Sequence, residues 1–160
     1  MARIFFSPIG VIHSPFGEVK DMPLQPSGAR GIEGRVEIAS EFVGGLKDLE
    51  GFSHIILIYH FHLSRGYCLE VTPCLDSEPH GIFAARAPKR PNPIGISAVR
   101  LTGMEQGTLF IKDIDVVDGT PLLDIKPYVP EFDSVATGKI GWLSGKAQGA
   151  GHRKSDNRFL

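Results

Sequence analysis

The sequence predicts a mainly β protein, built as a single small antiparallel barrel. Residues 53–64 alternate strictly, with Ile55, Leu57 and Tyr59 on one face and three histidines on the other. Helical periodicity is scarce, and 19 Gly and 12 Pro divide the 160 residues into short apolar runs. No pair of predicted strands is joined by a helix of about a dozen residues, as parallel βαβ units require. This pattern of strands and short connections therefore favours an antiparallel sheet that closes into a barrel.

The other predicted elements are a hairpin, one helix and several short strands. Residues 96–101, a Gly-containing loop and residues 108–117 are typical of a long hairpin. The single helix candidate starts at Ser40, a good N-cap residue, and ends at Gly51. The remaining β-rich stretches besides 53–64 are residues 4–13, 34–38, 70–73 and 81–85.

Composition places the chain among ordinary globular proteins. Lys and Arg total 17 against 18 Asp and Glu, and charged residues make up 22%. These values exclude intrinsic disorder and a wholly basic nucleic-acid-binding chain. The longest apolar run, residues 55–59, is far below the roughly 20 residues of a membrane span, and residues 1–10 lack a signal-peptide core. We therefore expect a cytoplasmic protein without a membrane partner.

Charge is concentrated at the C-terminus. Residues 139–160 carry five basic side chains and one acidic one, whereas residues 1–138 carry 12 basic and 17 acidic side chains. This division predicts a barrel domain over residues 1–138 and a basic, Gly-rich extension over residues 139–160. The extension is expected to be mobile, either as an arm that contacts phosphates or as a frayed, solvated end.

Residues 83–95 form a second basic segment, stiffened by three prolines. The planar guanidinium of Arg86 is suited to hold a carboxylate or a phosphate. Lys89 and Arg90 are expected to face outward. The alternative is a proline-ordered connection with solvated charges.

Acidic residues are dense between positions 113 and 124. Asp113 and Asp115 are predicted to share one face of a strand, and Asp118 opens an Asp-Gly turn. Asp124 is predicted to share a face with Lys126. One explanation of these carboxylates is structural: they stabilise a turn and form an ion pair. The functional alternatives are acid/base catalysis, binding of a divalent metal, and hydrogen bonds to the polar groups of a cofactor.

The histidines of residues 53–64 form a third polar group. His60 and His62 have a metal-ligand spacing, but no third nitrogen or sulfur ligand follows at a recognisable distance. Histidines hydrogen-bonded to neighbours in the core or a pocket are the favoured interpretation, and no metal is expected. The sequence also lacks a P-loop and the Rossmann G-x-G-x-x-G.

These segments resemble a known family, the TsaA-like proteins, which are associated with the tRNA methyltransferase TrmO. The resemblance rests on residues 9–16, 49–54, 61–62, Arg86 with 90–97, and Asp115 with 118–121 and 124–128. It implies an antiparallel β-barrel of about seven strands, usually a homodimer, that binds S-adenosylmethionine. The activity it implies is methylation of N6 of threonylcarbamoyl-adenosine beside the anticodon of tRNA.

The resemblance implies the cofactor contacts, whereas the other roles follow from chemistry and charge. Because N6 must lose a proton, Asp118 and Asp124 are the candidate proton acceptors, with water as the alternative. The basic loop and tail residues Lys89, Arg90, Arg153 and Lys154 are expected to contact RNA. The implied cofactor contacts are Gln25, Pro26, Ser27, His62, Leu63, Arg86, Ile96, Asp113, Ile114 and Asp115.

Two departures and two alternatives accompany this interpretation. Ala85 and Ala87 stand where the family often has Thr and Ser, and the C-terminal domain of larger bacterial members has no counterpart here. The first alternative is a metal-dependent barrel enzyme that uses His60, His62 and an aspartate. The second is a non-catalytic RNA-binding or regulatory barrel.

Overall fold

Six antiparallel strands close into one barrel in the computed structural model, which describes residues 2–20 and 22–156. The strands are β1 Gly10–His13, β2 Glu33–Ile38, β3 His54–His60, β4 Glu70–Val71, β5 His80–Gly81, β6 Ile94–Glu105, β7 Thr108–Lys112 and β8 Thr120–Pro127. Around the barrel the order is β1-β2-β7-β6-β3-β8, and β4 pairs with β5 outside it. The antiparallel barrel is confirmed, and it has six strands where about seven were expected.

Helical structure in the described residues is short. The segment predicted as a helix from Ser40 folds as two 3-10 helices, Ser40–Leu46 and Leu49–Gly51. Gly44 and Gly45 lie inside the first, where glycine disfavours a regular α-helix. The others are 3-10 helices Pro26–Gly28, Ile82–Ala84, Gly141–Leu143 and Ala147–His152, and helix α1, Pro130–Asp133. Among the described residues, the helices are all too short or too polar to cross a bilayer.

The alternation predicted for β3 sets the core. Ile55, Leu57 and Tyr59 are buried inside the barrel, opposite the inward residues of β6. The rest of the core comes from all six strands and from the segment after β7. Its fully buried apolar members include Ile12, Val36, Val99, Leu109, Ile111, Ile114 and Leu122.

Several predicted strands begin or end at other residues than predicted. The predicted strand 108–117 stops at Lys112, because Asp113 has φ +70° and turns the backbone out of extended geometry. Strand β8 was not predicted, since its sequence reads as an acidic segment after a turn. Within the predicted strand 4–13, the observed strand covers only residues 10–13. Within the predicted strand 81–85, residues 82–84 form a 3-10 helix instead.

Antiparallel closure places three long connections at one end of the barrel. β1 leads into β2 through residues 14–32, β3 into β6 through residues 61–93, and β7 into β8 through residues 113–119. Because neighbouring strands run in opposite directions, all three connections emerge together. We call this end of the barrel the loop end.

Gly95 on β6 gives a direct test of the packing. A Cβ at this position would lie 2.6 Å from Tyr59 Cζ and 2.8 Å from Phe61 Cζ. We expect Gly95→Ala to lower the free energy of unfolding by about 1–3 kcal/mol, because overpacking displaces both rings. Urea denaturation measures this loss. Gly103→Ala in the same strand is the control, since its Cβ would meet only Phe110 Cδ2 at 3.8 Å; equal stabilities of the two variants would contradict the account.

Candidate active site

Two of the predicted cofactor residues meet at the loop end, although they are 61 positions apart. Arg86 Nη1 donates a hydrogen bond of 3.1 Å to Gln25 Oε1. Gln25 immediately precedes the 3-10 helix Pro26–Gly28, in which Ser27 is exposed. Arg86 is exposed as well. The bond joins the first and second long connections and leaves a guanidinium available for an anion.

Asp115 is a partly buried carboxylate at this end. It accepts a 2.6 Å hydrogen bond from the Ser97 hydroxyl, and Ser97 Oγ lies 3.0 Å from the Tyr59 hydroxyl. Burial raises the pKa of Asp115 to about 6, although the Ser97 bond and the charge of Arg86 act in the opposite direction. Burial also raises the pKa of the Tyr59 hydroxyl. A partly buried carboxylate therefore lies within electrostatic reach of an exposed guanidinium.

Sequence reasoning did not assign Tyr59 or Ser97 to the site. Both face inward, where a hydroxyl needs a partner, and Ser97 is one of only two buried polar residues in the described part of the chain. An inward Ser on an otherwise apolar strand face was the available signal. Gly95, opposite Tyr59 in the strand register, provides the space for the ring.

His62 and Leu63 follow β3 at the same end. His62 Nδ1 lies 3.4 Å from Thr120 Oγ1. Burial and then the charge of His60 lower the pKa of His62, so its imidazole is neutral at pH 7. Leu63 is exposed and apolar. Across residues 2–20 and 22–156, no three His, Cys, Asp or Glu side chains gather closely enough to hold a metal ion.

Three other predicted cofactor residues occupy different surroundings. Asp113 accepts a 2.7 Å hydrogen bond from the Gly31 N–H. Since β7 ends before it, Asp113 and Asp115 do not share a strand face, and that prediction is wrong. The side chain of Ile114 is fully buried in the core, which leaves only its backbone for a ligand. Ile96 points outward from β6 and is 59% exposed.

The two carboxylates predicted to be catalytic already have partners. Asp118 accepts hydrogen bonds from the Ser14 N–H and from His13 Nδ1, each 3.1 Å long. Partial burial acts to raise the pKa of Asp118, but these bonds outweigh it and the pKa is lowered. Asp124 lies on the outer face of β8, 2.8 Å from Lys126 Nζ. The predicted ion pair is confirmed, and the catalytic role of both carboxylates stays a prediction.

Arg90 does not face outward as expected. Its Nη1 donates to the carbonyl oxygens of Ala85 at 2.7 Å and Ile82 at 3.0 Å, and the guanidinium lies over the Phe83 ring. The carbonyls at the end of a short 3-10 helix need donors, and Arg90 supplies them. Lys89 is half-buried.

Residues 142–155 of the basic tail contact the long connections of the loop end. Lys146 bonds an aspartate side chain, and Arg153 Nη1 donates to a backbone carbonyl, both within residues 74–76. Lys154 lies in a single β-bridge. Arg158, also counted in the basic tail, lies outside the described residues. RNA contacts by Arg153 and Lys154 stay a prediction.

The chain is similar to a known protein family over most of its length. A sequence model of the family described as the tRNA-methyltransferase O N-terminal domain matches residues 11–134. The chain belongs to this family. All the predicted cofactor residues lie inside the matched range, whereas the packed tail lies beyond it.

Individual members of the TrmO family are similar over most of the chain. A probable S-adenosyl-L-methionine-binding protein of Pyrococcus abyssi is 56% identical over 157 residues, covering 98% of this chain and 85% of that protein. The mouse tRNA (adenine(37)-N6)-methyltransferase is 35% identical over 139 residues, covering 82% of this chain and 32% of its own length. The crystal structure of TrmO from Pseudomonas aeruginosa superposes with a TM-score of 0.74 at 42% identity, covering 88% and 63% of the two chains. The chain therefore spans less than two thirds of that TrmO structure.

The raised pKa of the partly buried Asp115 predicts that the stability of the fold depends on pH. Since the pKa of Asp115 rises from 3.8 to about 6 on folding, the folded state binds more protons between these values and loses stability as pH rises through this window. We expect Asp115→Asn, which keeps the acceptor oxygen, to gain roughly 1–3 kcal/mol relative to the parent between pH 4 and pH 7.5. Urea unfolding at both pH values measures this gain. The exposed Asp48→Asn is the control; a gain for Asp115→Asn no larger than that of the control would contradict the partly buried charge.

Proposed function

We propose that this protein is an S-adenosylmethionine-dependent methyltransferase that acts on N6 of threonylcarbamoyl-adenosine beside the anticodon of tRNA. The observation that carries the proposal is the presence of the exposed Arg86 and the partly buried Asp115 at the loop end, within electrostatic reach of each other. Membership of the TrmO family and the names of the mouse and Pyrococcus abyssi relatives support both the cofactor and the class of substrate.

The residues present fit this cofactor. Its amino-acid part carries a carboxylate and an ammonium, and its sulfur is a cationic sulfonium. The Arg86 fork suits the carboxylate, and the Gln25 bond already orients that side chain. Asp115 supplies the negative charge that a cation needs in a low-dielectric site. When bound, S-adenosylmethionine supplies a methyl group activated by the positive charge on sulfur.

The task of the chain is mainly positioning. Methyl transfer to a nitrogen is an in-line displacement, which depends on the alignment of the two reactants and needs no protein nucleophile. N6 must also lose a proton. Asp118 is ionised at neutral pH because its pKa is lowered. Once N6 has gained the methyl group it is cationic and acidic, so a weak base such as a carboxylate is sufficient to remove its proton. We propose Asp118 as that acceptor and keep Asp124 as the second candidate.

The two parts of the chain have different proposed tasks. Residues 1–138 form the cofactor-binding barrel, and residues 139–160 form the basic extension. Lys89, Arg90, Arg153 and Lys154 remain the proposed contacts to tRNA phosphates, and binding to phosphates should weaken with salt. A tRNA substrate is the reason to propose a cytoplasmic protein.

We propose a homodimer formed through the outer face of β3 and β6. This face carries apolar side chains in mid-strand, where a solvated sheet usually carries polar ones. A second copy of the same face would cover them in an isologous interface. Its residues are Ile56, Ile58, Ile94, Ile96 and Ala98. The molar mass in solution, measured by light scattering, tests the proposal; a monomer at the concentration of the enzyme assay would reject it.

Arg86 provides the test of the cofactor site. We expect Arg86→Ala to abolish binding of S-adenosylmethionine in calorimetry, because the carboxylate loses its charged partner, while the melting temperature changes little. Arg35→Ala is the matched control, since Arg35 lies on the outer wall in an exposed pair with Glu37. Binding by Arg86→Ala within threefold of the parent would remove Arg86 from the site.

The acceptor is tested with tRNA from cells that lack this gene. Incubation with the protein and S-adenosylmethionine should convert threonylcarbamoyl-adenosine to a product heavier by one methyl group, as measured by nucleoside mass spectrometry. Asp118→Asn should slow the conversion by on the order of a hundredfold with a near-normal melting temperature, if it accepts the proton. A methyl group on another nucleoside would contradict the proposed acceptor, and an unchanged rate would leave Asp118 as a turn residue.

A further inference from the structure

The segment that follows the family match joins the two loops that carry Gln25 and Arg86. We name residues 141–155 the clasp. They lie beyond residue 134, where the match to the TrmO family ends. Three sets of contacts hold the clasp to the loop end.

The first contact fixes the clasp beside Arg86. Trp142 Nε1 donates a 2.8 Å hydrogen bond to the carbonyl oxygen of Ala84. The indole also packs against a small buried cluster that includes Ala85 and Ala87, the two neighbours of Arg86. The backbone that carries Arg86 is therefore held from the side of the clasp.

The second contact is an ion pair with little exposure. Lys146 Nζ lies 2.6 Å from Asp76 Oδ2, and the Asp76 side chain is only 8% exposed. His80 Nε2 bonds the same oxygen at 2.9 Å, and its ring stacks on Trp142 with centroids 4.4 Å apart. Removing Lys146 would leave a poorly solvated carboxylate short of a cation, which is costlier than losing an exposed pair.

The third set of contacts reaches the loop that carries Gln25. Ser155 N–H donates a 2.7 Å hydrogen bond to the Met22 carbonyl oxygen, and Lys154 forms an antiparallel bridge with Pro23. The 3-10 helix Ala147–His152 packs on the 3-10 helix Pro26–Gly28. Here a Cβ at Gly28 would lie 3.0 Å from the Gly151 carbonyl oxygen. The two backbones approach so closely that a side chain at this point would disturb the fit.

We propose that the clasp is a positioning element of the cofactor site. It holds the Gln25 loop and the Arg86 loop at the separation at which the Arg86–Gln25 hydrogen bond forms. The inference rests on the proposed S-adenosylmethionine site. The basic side chains of the clasp consequently act first as anchors within the chain, and docking of the clasp and binding of S-adenosylmethionine stabilise each other.

The first experiment compares two lysines of the tail by calorimetry with S-adenosylmethionine. Lys146→Ala and Lys139→Ala each remove one positive charge, but only Lys146 anchors the clasp among the contacts described above. We expect Lys146→Ala to weaken binding by tenfold or more and Lys139→Ala to leave it within twofold. Equal affinities of the parent and Lys146→Ala overturn the clasp. A parent that binds no S-adenosylmethionine overturns the proposed function and, with it, this inference.

The second experiment needs no substitution. If docking and binding stabilise each other, thermodynamic reciprocity requires the cofactor to stabilise the docked clasp. Hydrogen exchange of amides 141–155 in the full chain should slow at least threefold on addition of S-adenosylmethionine, while exchange in the hairpin turn at residues 105–108 stays the same. Slower exchange limited to the clasp and the loop end supports the proposal. Unchanged exchange in the clasp of a parent that binds the cofactor overturns it.

Discussion

The pairing of β8 with both β1 and β3 is the interaction on which the rest of the structure depends. It closes the barrel, so that no strand of the six is left as an edge. Closure with alternating strand directions brings three distant connections to one end. Arg86, Gln25 and Asp115 come from these three connections, so closure of the barrel places them at the same end. The site is therefore a product of topology more than of any one motif.

The sequence predicted what depends on local pattern. The alternation of β3 and the hairpin of β6 and β7 were correct, because period-2 burial and turn residues act over a few positions. β8 was missed because its prolines and charged residues have low strand propensity. The segment becomes a strand because it pairs with β1 and β3 in the fold. The end of β7 was missed because the positive φ of Asp113 has no clear signature.

The sequence also indicated only those features of the candidate site that depend on local motifs. The motif around Arg86 lies in the second connection of the loop end, and part of the acidic segment lies in the third. Motif positions did not reveal that Ser97 bonds Asp115 or that Arg90 turns inward to carbonyls, since both depend on residues that meet only in the fold. Composition predicted a mobile tail, whereas Trp142 and Lys146 dock on partners more than 50 positions away. The net charge and composition of a segment do not show which distant residues of the same chain it will contact.

The central claim is that the loop end of the barrel is where S-adenosylmethionine binds. Amide chemical shifts of the isotope-labelled protein, followed by NMR during titration with S-adenosylmethionine, test this claim most directly. The account predicts that the large shifts cluster in residues 22–29, 61–64, 84–90 and 113–118 and in the clasp. Shifts confined to the opposite end, at residues 39–53 and 105–108, would contradict it.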